Sequence, residues 1–417
     1  MSHAALTESI RAGSYPGIAA RIVVDAALHG RLDLRAEQAL GTYTVCAGVD
    51  TLAELEDAGL LGRGGAGFPA HVKWRTVAAA PDRKVVVANG EEGEPSSFKD
   101  RWLLTHRPHL VLDGLLLAAK TVGATRAIVY LSHEETVESI RDAIAELNAS
   151  ALAPDLRIEI HVVEPTYVAG DETAVCRSIN GGPALPTAKP PRPFECGVDG
   201  LPTLVQNVET LAHAAWIARH GAQAYRQFGT ASSPGTTLVT LGGACRTPGV
   251  YEVPFGKRVR DLFETVGGGY ASAPRGFAMG GWFGGMLSPD HGELACCYAA
   301  VREVGSGFGC GAVTVLGQED DPVAFAANIA AWYSRESAQQ CGVCVKGTAA
   351  IAAAMQALNA GDASEQDRDN LVRWGTTLRG KGACAFLDGA AALARTLTSE
   401  FAADAWKKIK VVPHERA

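Results

Sequence analysis

The chain has 417 residues, enough for two or three domains that each bury a core. Hydrophobic residues make up 47% and charged residues 20%, and the formal net charge of −7 gives no electrostatic footprint for nucleic acid. The N-terminal sequence lacks the basic start and apolar core of a signal peptide, and charges interrupt the richest apolar stretch, so we expect a cytoplasmic chain without a membrane span.

A glycine-rich stretch comes first along the chain. The sequence LLGRGGAGFPAHVKW, residues 60–74, contains Gly62, Gly64, Gly65 and Gly67. Glycines let backbone N–H groups approach a phosphate closely, and Arg63 and Lys73 would complement its charge. The spacing is neither that of a Rossmann fingerprint nor that of a P-loop. By itself the stretch predicts either a phosphate-binding loop or a flexible loop.

Residues 85–180 alternate between strand and helix patterns. A β-branched run ends at Asn89, and a helix is expected from Pro108 until Gly123 ends it. The runs RAIVYL and LRIEIHVV predict the next strands. This order favours a parallel or mixed sheet covered by helices, with ligands at the carboxyl ends of the strands.

Acidic loops follow two of these predicted strands. The first, NGEEGEPSSFKDR, contains Glu91, Glu92, Glu94 and Asp100, and the second, YVAGDETAVCRSINGG, contains Gly170, Asp171 and Glu172. Carboxylates crowded at a strand end repel one another unless ligand hydroxyl or N–H groups bind them, although a solvated turn is the alternative. The second loop opens a helix, whose N-terminus attracts anions, although its acidic residues could serve as caps alone. Together the loops suggest a dinucleotide and a second nucleotide-like cofactor.

The second half of the chain predicts two further units. Residues 235–317 read as strand, turn, strand and amphipathic helix, a compact β-grasp-like pattern. After Pro322 the chain is rich in alanine and helical, with breaks at residues 359–364 and 380–382. We expect a small helical bundle there. It contains Cys341 and Cys344, whose spacing is typical of a metal, iron–sulfur or thiol–disulfide site.

The motifs GRGGAGFP, NGEEGEPSSFKDR, YVAGDETA, KPPRP and PTLVQNVETL occur in an order that resembles the NADH-binding flavoprotein subunit of respiratory complex I. The same module occurs in NAD-linked hydrogenases and formate dehydrogenases, and the similarity spans about residues 58–400. The resemblance implies a Rossmann-like α/β FMN domain with the N-terminal segment (1–232), a β-grasp soluble-ligand-binding domain (233–318) and a C-terminal helical bundle with an iron–sulfur site (319–417).

The resemblance also implies which residues bind cofactors. Those expected to hold FMN are Gly62, Arg63, Gly64, Lys73, Asn89, Glu91, Gly170, Asp171, Glu172 and Asn207. Gly67 of the glycine loop is also expected to bind a cofactor. Those expected to contact the nicotinamide nucleotide are Gly65, Phe68, Glu94 and Lys189. Phe68 offers a flat surface to a heterocycle, and Glu94 accepts hydrogen bonds. Hydride transfer is then positioned by Phe68 and Glu94, and no side chain need act as a general base.

Three positions on the nucleotide side depart from the family pattern. Asp171 stands where the family usually has Glu, and Glu91 stands where it usually has Asp, so the charge is kept and the reach changes by one methylene. Arg192, in KPPRP, replaces an aromatic residue. A guanidinium group can stack on a purine or pair with a 2′-phosphate, so NADPH is an alternative to NADH.

The cysteine motif departs further. The family pattern is E-S-C-x-x-C-x-x-C with a distant fourth cysteine, whereas here Ala338 replaces the first ligand and Cys341, Cys344 and Cys384 remain. A full cubane needs four ligands. The three cysteines predict a 3Fe–4S cluster or a 4Fe–4S cluster with a non-cysteine fourth ligand. A lost cluster with packed thiols, a dithiol/disulfide pair and a zinc site are the alternatives.

The expected function is that of an NAD(P)H:acceptor oxidoreductase, a flavoprotein NADH dehydrogenase of an electron transport chain. Electrons would pass from NAD(P)H through FMN and the cluster to a protein acceptor such as a ferredoxin or another redox subunit. The alternatives are a cluster-free NAD(P)H:flavin or quinone reductase and a non-catalytic scaffold subunit. Through its partners the chain could lie at the periphery of a membrane complex.

Overall fold

The computed structural model describes residues 10–19, 21–44, 49–81, 83–150, 152 and 156–410. The strands are β1 (Arg11–Ser14), β2 (Val85–Asn89), β3 (Arg126–Leu131), β4 (Arg157–Val162), β5 (Thr203–Asn207), β6 (Thr236–Gly243), β7 (Gly249–Pro254), β8 (Gly276–Met279), β9 (Met286–Leu287) and β10 (Ala312–Leu316). They form two sheets within a mixed α/β fold.

The helices lie between and after the strands. They are α1 (Leu34–Ala39), α2 (Thr51–Ala58), α3 (Ala70–Ala78), α4 (Lys99–His106), α5 (Pro108–Val122), α6 (Glu134–Ser150), α7 (Glu172–Ile179), α8 (Val208–Tyr225), α9 (Val259–Thr265), α10 (Tyr298–Glu303), α11 (Pro322–Arg335), α12 (Gly342–Ala360), α13 (Glu365–Thr377), α14 (Phe386–Glu400) and α15 (Ala402–Trp406). The predicted helix from Pro108 is confirmed, and Gly123 ends it in the left-handed conformation that glycine adopts readily.

The first sheet has four parallel strands in the order β4–β3–β2–β5, which confirms the predicted strand and helix alternation. The inner strand β2 is buried on both faces, as strands of parallel sheets generally are. Val86 and Ala88 of β2 pack into the core shared with α5 and α8. Val85 and Val87 pack on the opposite face against Val175 of α7. The carboxyl ends of all four strands therefore share one edge.

The second sheet has six strands in the order β1–β7–β6–β10–β8–β9. Its edge strand β1 comes from the N-terminal segment and runs parallel to β7, so that segment belongs partly to the second sheet and not only to the first unit. The buried carboxylate of Glu252 accepts hydrogen bonds from the backbone N–H groups of Arg21, Ile22 and Val23, at 3.1, 2.9 and 2.9 Å. Glu252 lies 229 or more residues along the chain from the three N–H groups that it binds, which explains why local patterns did not predict this contact.

The C-terminal part is helical, as expected, and its two predicted breaks separate α12 from α13 and α13 from α14. Cys341 directly precedes α12, and Cys344 lies in its first turn. By length and composition α12 could cross a membrane, but Ile351, Met355 and Leu358 pack it into the core of the bundle. We therefore interpret α12 as a core helix.

Candidate functional site

The predicted loops meet at the carboxyl edge of the first sheet. Asn89 and Asn207 end the neighbouring strands β2 and β5 in register. The side chain of Asn89 donates to the carbonyl oxygen of Gly170 at 2.9 Å, which joins the first acidic loop to the second. The side chain of Asn207 caps α8 by accepting from the N–H groups of Glu209 and Thr210. The sheet thus brings together segments that lie far apart in sequence.

The glycine loop is a closed turn at this edge. The N–H of Gly62 donates to the carbonyl oxygen of Phe68 at 2.8 Å, and the hydroxyl group of Tyr298 donates to the carbonyl oxygen of Gly62 at 3.0 Å. Gly67 has a φ of 63°, and a Cβ there would lie 2.9 Å from the Tyr298 ring, so only glycine fits.

The tip of the glycine loop faces solvent. Among the described residues, no protein acceptor meets the backbone N–H groups of Gly64 and Gly65, which are free to donate to a ligand. A Cβ on Gly64 would lie 3.4 Å from the Cβ of Asn207, so the tip approaches the end of β5. Phe68 is 51% exposed, an unusual exposure for a large aromatic ring. The tip offers donors and a flat ring together.

The structure does not bring the Arg63 side chain to the cleft. Its guanidinium group is buried, where it donates to the carbonyl oxygens of Leu61 and Thr236 and to the hydroxyl group of Tyr225. The carboxylate of Glu209 lies 3.6 Å from its Nε. The prediction that the guanidinium group of Arg63 contacts a phosphate is therefore wrong, because this group donates its hydrogen bonds within the core. Of the two cations predicted for the glycine loop, Lys73 remains at the cleft.

Glu91 is buried at the junction of the two acidic loops. Its carboxylate oxygens complete no hydrogen bond of good geometry with the described residues, although Ser132 and Thr166 lie near them. Burial raises the pKa of Glu91 to about 7. A Cβ on Gly170 would lie 3.4 Å from the Glu91 carbonyl oxygen, so the two loops touch there. A buried carboxylate whose neighbouring donors complete no hydrogen bond of good geometry can accept from ligand N–H or O–H groups.

Glu94 joins the first acidic loop to the second sheet. Its carboxylate accepts hydrogen bonds from the hydroxyl group of Ser96 at 3.1 Å and the backbone N–H of Trp282 at 3.0 Å. A Cβ on Gly281 would lie 2.2 Å from the Glu94 carboxyl carbon, so this approach requires glycine. Burial raises the pKa of Glu94 to about 7. The carboxylate is held in place but remains only partly satisfied.

Glu92, which the sequence did not distinguish from its neighbours, has a structural role. Its carboxylate accepts from the hydroxyl group of Ser97 and from the backbone N–H groups of Asp100 and Arg101 at the start of α4. The buried ammonium group of Lys99 contacts the carboxylates of Asp100 at 2.7 Å and Glu209 at 2.9 Å. This network supports the floor of the cleft, because Asp100 also accepts from Asn207 at 2.7 Å.

The second acidic loop carries an ion-pair cluster. Asp171 caps α7 by accepting from the N–H of Thr173. The ammonium group of Lys189 lies 3.3 Å from Asp171 and 3.5 Å from Glu172. The guanidinium group of Arg192 lies 3.9 Å from the same Glu172 carboxylate and is largely exposed. Cations thus line the outer rim of the cleft.

The three predicted cysteine ligands lie close enough to interact. Cys344 is influenced electrostatically by Cys341 and Cys384, and burial raises its pKa to about 11. The hydroxyl group of Ser337 lies 3.6 Å from its sulfur. Ala338 packs in the same apolar cluster as Cys341 and Cys384. A bound cation would compensate the burial that keeps such a thiol neutral.

The cysteine site and the cleft are neighbours. Cys384 interacts electrostatically with Asp171 and Lys189 of the second acidic loop. The amide group of Gln340 donates to the carbonyl oxygen of Pro186 at 2.7 Å and accepts from Arg177 at 3.0 Å. Within the described part of the chain, no three side chains are arranged around a single metal ion, which does not favour the zinc alternative. A cluster would hold its thiolates farther apart than one ion does.

An aromatic contact chain connects the two sites. Trp282, whose backbone binds Glu94, contacts Trp332 edge to face at 5.0 Å between ring centroids. Tyr167 then contacts Trp332 at 5.0 Å and Phe386 at 5.3 Å. Phe386 begins α14 two residues after the third cysteine. Densely packed aromatic side chains therefore fill the space between the cleft and the cysteines.

A cavity of about 370 Å³ lies beside Tyr15, outside the three loops.

Two family models match this chain. One, described as the Nuo51 FMN-binding domain, matches residues 55–216 and contains all three loops. The other, described as the NADH-ubiquinone oxidoreductase-F iron-sulfur binding region, matches residues 324–407 and contains the three cysteines. The two matched regions coincide with the two neighbouring sites described above.

Relatives of similar length support the same assignment. The F subunit of NADH-quinone oxidoreductase from Mycobacterium tuberculosis is 32% identical over 373 residues, which cover 86% of this chain and 84% of the relative. The Aquifex aeolicus protein of the same name is 34% identical over 318 residues, which cover 74% of each chain. This chain also resembles a chain in the crystal structure of an NAD+-reducing NiFe-hydrogenase in the H2-reduced state, with 31% sequence identity and a TM-score of 0.78. The match covers 88% of this chain and 63% of the hydrogenase chain.

Proposed function

This chain belongs to the family of the NADH-quinone oxidoreductase F subunits, and on that premise we propose that it oxidises NAD(P)H through FMN and passes the electrons through an iron–sulfur cluster to a protein acceptor. It is an oxidoreductase of the NADH dehydrogenase type. We assign its parts to a Rossmann-like FMN domain, a β-grasp domain and a helical bundle. The relatives are named as subunits, which supports the presence of redox partner chains. We place the chain in the cytoplasm or at the periphery of a membrane complex.

The observation that carries this proposal is the convergence of the glycine tip, Glu91 and Lys73 at one edge of a parallel sheet. The free N–H groups of Gly64 and Gly65 suit a phosphate or a ring carbonyl, and the buried Glu91 carboxylate suits ligand hydroxyl or N–H groups. Lys73 adds a positive charge beside them. This donor and acceptor set fits FMN, which when bound supplies the hydride-accepting ring.

The chain's own groups position the nicotinamide nucleotide. The exposed Phe68 ring provides a surface on which a heterocycle stacks. Glu94, fixed by Ser96 and Trp282, accepts a hydrogen bond from a carboxamide or ribose group. Lys189 at the rim meets a phosphate or ribose. Each role is one of binding and orientation, so substitution should affect KM and hydride transfer without removing a general base.

The cysteine site fits a cluster with three protein thiolates. Cys341, Cys344 and Cys384 interact with one another beside the cleft, and Ala338 packs against the same apolar cluster. We propose a 3Fe–4S cluster, or a 4Fe–4S cluster whose fourth iron has a non-cysteine ligand. Anaerobic purification followed by FMN, iron and sulfide assays and low-temperature EPR tests this proposal. Flavin together with a cluster signal supports it. Flavin without iron favours a second candidate, a cluster-free NAD(P)H:flavin or quinone reductase. The replacement of one cluster ligand by Ala338 is the only observation that favours this second candidate.

The nucleotide preference rests on Arg192. Its guanidinium group is largely exposed, and its contact with Glu172 is long, at 3.9 Å. The group is therefore available to a 2′-phosphate. We propose that the enzyme accepts NADPH as well as NADH. Rates of flavin reduction by each nucleotide at equal concentration test this, and a rate with NADH far above that with NADPH contradicts it. A protein that binds no FMN would instead support a non-catalytic scaffold.

A further inference from the structure

Two cysteines outside the cluster site lie at the back of the nucleotide rim. Cys176 is buried in α7, and Cys196 is exposed in the loop between α7 and β5. Both are free thiols in this structure. The proposed oxidation of NAD(P)H uses neither of them, so their placement needs a separate account.

Contacts hold the loop of Cys196 against the end of α7. The amide group of Asn180 donates to the carbonyl oxygen of Gly197, the residue after Cys196, at 3.1 Å. The N–H of Asn180 in turn donates to the carbonyl oxygen of Cys176 at 3.0 Å. Val198 of the loop packs in the same apolar cluster as Cys176. The two thiols are therefore neighbours across this contact, close enough to interact electrostatically.

The same loop carries one of the rim cations. The N–H of Cys196 donates to the carbonyl oxygen of Arg192 at 2.9 Å, so the two residues belong to one turn. On the helix side, Glu172 lies four residues before Cys176 and therefore on the same face of α7. Glu172 is the carboxylate that Lys189 and Arg192 both contact. A bond between the two sulfurs would tie the rim segment to the helix whose carboxylates face its cations.

We propose that Cys176 and Cys196 are a thiol–disulfide modification site that closes the nucleotide rim when it is oxidised. Its effect on the rim rests on the proposed function, because the rim is where that function places the nucleotide. The bond itself depends only on the placement of the two cysteines.

The co-reactant is a small disulfide, for which oxidised glutathione is the probe. The Cys196 thiolate attacks one glutathione sulfur, which forms a mixed disulfide and releases the first glutathione thiolate. The Cys176 thiolate then attacks the Cys196 sulfur and releases the second. Each protein thiol gives its proton to one released thiolate. Two protein thiols and one small disulfide thus become one protein disulfide and two small thiols.

The exposure of the two sulfurs sets the order of these steps. Cys196 is reached from solvent, whereas Cys176 is buried and burial raises its pKa to about 12. A buried thiol of this kind is inert toward reagents in solution and reacts with a sulfur that is held beside it. A disulfide needs Cα atoms about 4.4–6.8 Å apart, so the loop of Cys196 has to move only locally.

The disulfide would keep the rim cations on protein carboxylates. Lys189 lies 3.3 Å from Asp171 and 3.5 Å from Glu172, and Arg192 lies 3.9 Å from Glu172. A nucleotide phosphate has to compete with these carboxylates for the cations. When the loop is tied to α7, fewer molecules have a rim that can open, and the apparent affinity for the nucleotide falls by that fraction. Hydride transfer takes place away from the rim, so KM should rise while kcat changes little.

The test is anaerobic incubation of the purified holoprotein with oxidised glutathione, followed by alkylation of the remaining thiols and peptide mapping by mass spectrometry. We expect a linked peptide pair that contains Cys176 and Cys196 and that dithiothreitol separates. The KM for NADH, measured with a viologen dye as acceptor, should rise at least about threefold with kcat within about twofold. Dithiothreitol should restore the original KM.

Three variants separate the steps. Cys196→Ser should show neither the linkage nor the change in KM. Cys176→Ala should stop at the mixed disulfide of Cys196 with glutathione, because the second thiol is missing. The control Cys245→Ala removes a buried thiol that follows β6 and should behave as the parent does.

A mixed disulfide in the parent without linkage to Cys176 overturns the inference. Linkage with an unchanged KM overturns the closing of the rim, and so does an equal rise in KM for Cys196→Ser. Flavin bleaching by NADH in the reduced parent tests the proposed function separately, because neither thiol takes part in hydride transfer. Loss of that bleaching overturns the proposed function, while the peptide map still decides whether the disulfide forms.

Discussion

The ammonium group of Lys73 lies 3.1 Å from the carboxylate of Glu172 and 3.0 Å from the carbonyl oxygen of Val205. An ammonium group has three N–H donors, so one remains for a ligand after these two contacts. Glu172 also lies 3.5 Å from Lys189, and a single carboxylate therefore orients two cations at the cleft. The positive charge is positioned before a cofactor binds, which lowers the cost of ordering it.

We expect Lys73→Met to weaken FMN binding while preserving the fold. Methionine keeps much of the apolar stem and removes the charged donor, and a hydrogen bond from a charged group contributes about 1.5–3 kcal/mol, or about ten- to hundredfold in affinity. Titration of flavin-free protein with FMN, followed by quenching of flavin fluorescence, measures the change. Lys120→Met, on an exposed site of α5, is the control. An unchanged dissociation constant for Lys73→Met would show that the cation does not contact the cofactor.

Glu91 predicts a pH dependence of stability. Burial raises its pKa in the folded protein from the ordinary 4.5 to about 7. Between these pH values the unfolded chain has released the proton and the folded chain retains it, so stability decreases as pH rises through this window. Glu91→Gln removes this titration. We expect flavin-free Glu91→Gln to exceed the parent by about 1–3 kcal/mol at about pH 8, and the difference to shrink at about pH 5.

Denaturant unfolding of both proteins across this range measures the effect. Glu135→Gln, an exposed substitution on α6, is the control and should follow the parent at every pH. FMN should stabilise the parent more than Glu91→Gln, because ligand donors would satisfy the ionised carboxylate. A gap between the two proteins that is the same at high and low pH would contradict the assignment.

The sequence located the cleft because each loop directly follows a local pattern. The strand ending at Asn89 and the helix beginning at Glu172 are both decided by neighbouring residues, and parallel strands necessarily share a carboxyl edge. The glycines likewise predicted a close backbone approach, which Gly67 shows against Tyr298. Local pattern is thus sufficient wherever one segment determines its own conformation.

Side-chain direction was not accessible in the same way. Arg63 lies in the predicted loop but turns inward to Tyr225 and Thr236, partners more than 160 residues away. Glu92 and Glu94 are two residues apart, yet one stabilises α4 and the other contacts the loop at Trp282. Nothing local distinguishes these carboxylates. Only the packing of the two sheets decides which acidic group faces the cleft.

Gly93 is a site where the loops can be tested through packing. A Cβ there would lie 2.7 Å from the Cα of Tyr167 and 2.9 Å from the carbonyl oxygen of Thr166, so backbone must move to accommodate alanine. We expect Gly93→Ala to lose about 1–3 kcal/mol of stability and to purify with little FMN, because the two acidic loops separate. Thermal unfolding and flavin content measure both effects. At Gly292 the corresponding contact is an ordinary 3.8 Å, so Gly292→Ala should match the parent, and equal loss in both variants would contradict this account.

Ala338→Cys should restore the missing cluster ligand. Ala338 follows Ser337, which contacts Cys344, and precedes Gln339, whose φ of 54° is left-handed. A thiol at this position would supply the fourth ligand, so we expect Ala338→Cys to hold about four irons per chain, with an EPR spectrum typical of a 4Fe–4S cluster after reduction. This is a gain of about one iron over a parent with a 3Fe–4S cluster, and no change in iron over a parent with a 4Fe–4S cluster. Ala349→Cys, on the exposed side of α12, adds a thiol away from the site and should leave iron unchanged. If Ala338→Cys holds fewer than about four irons per chain, the three cysteines do not form a cluster with Ala338 at its open corner.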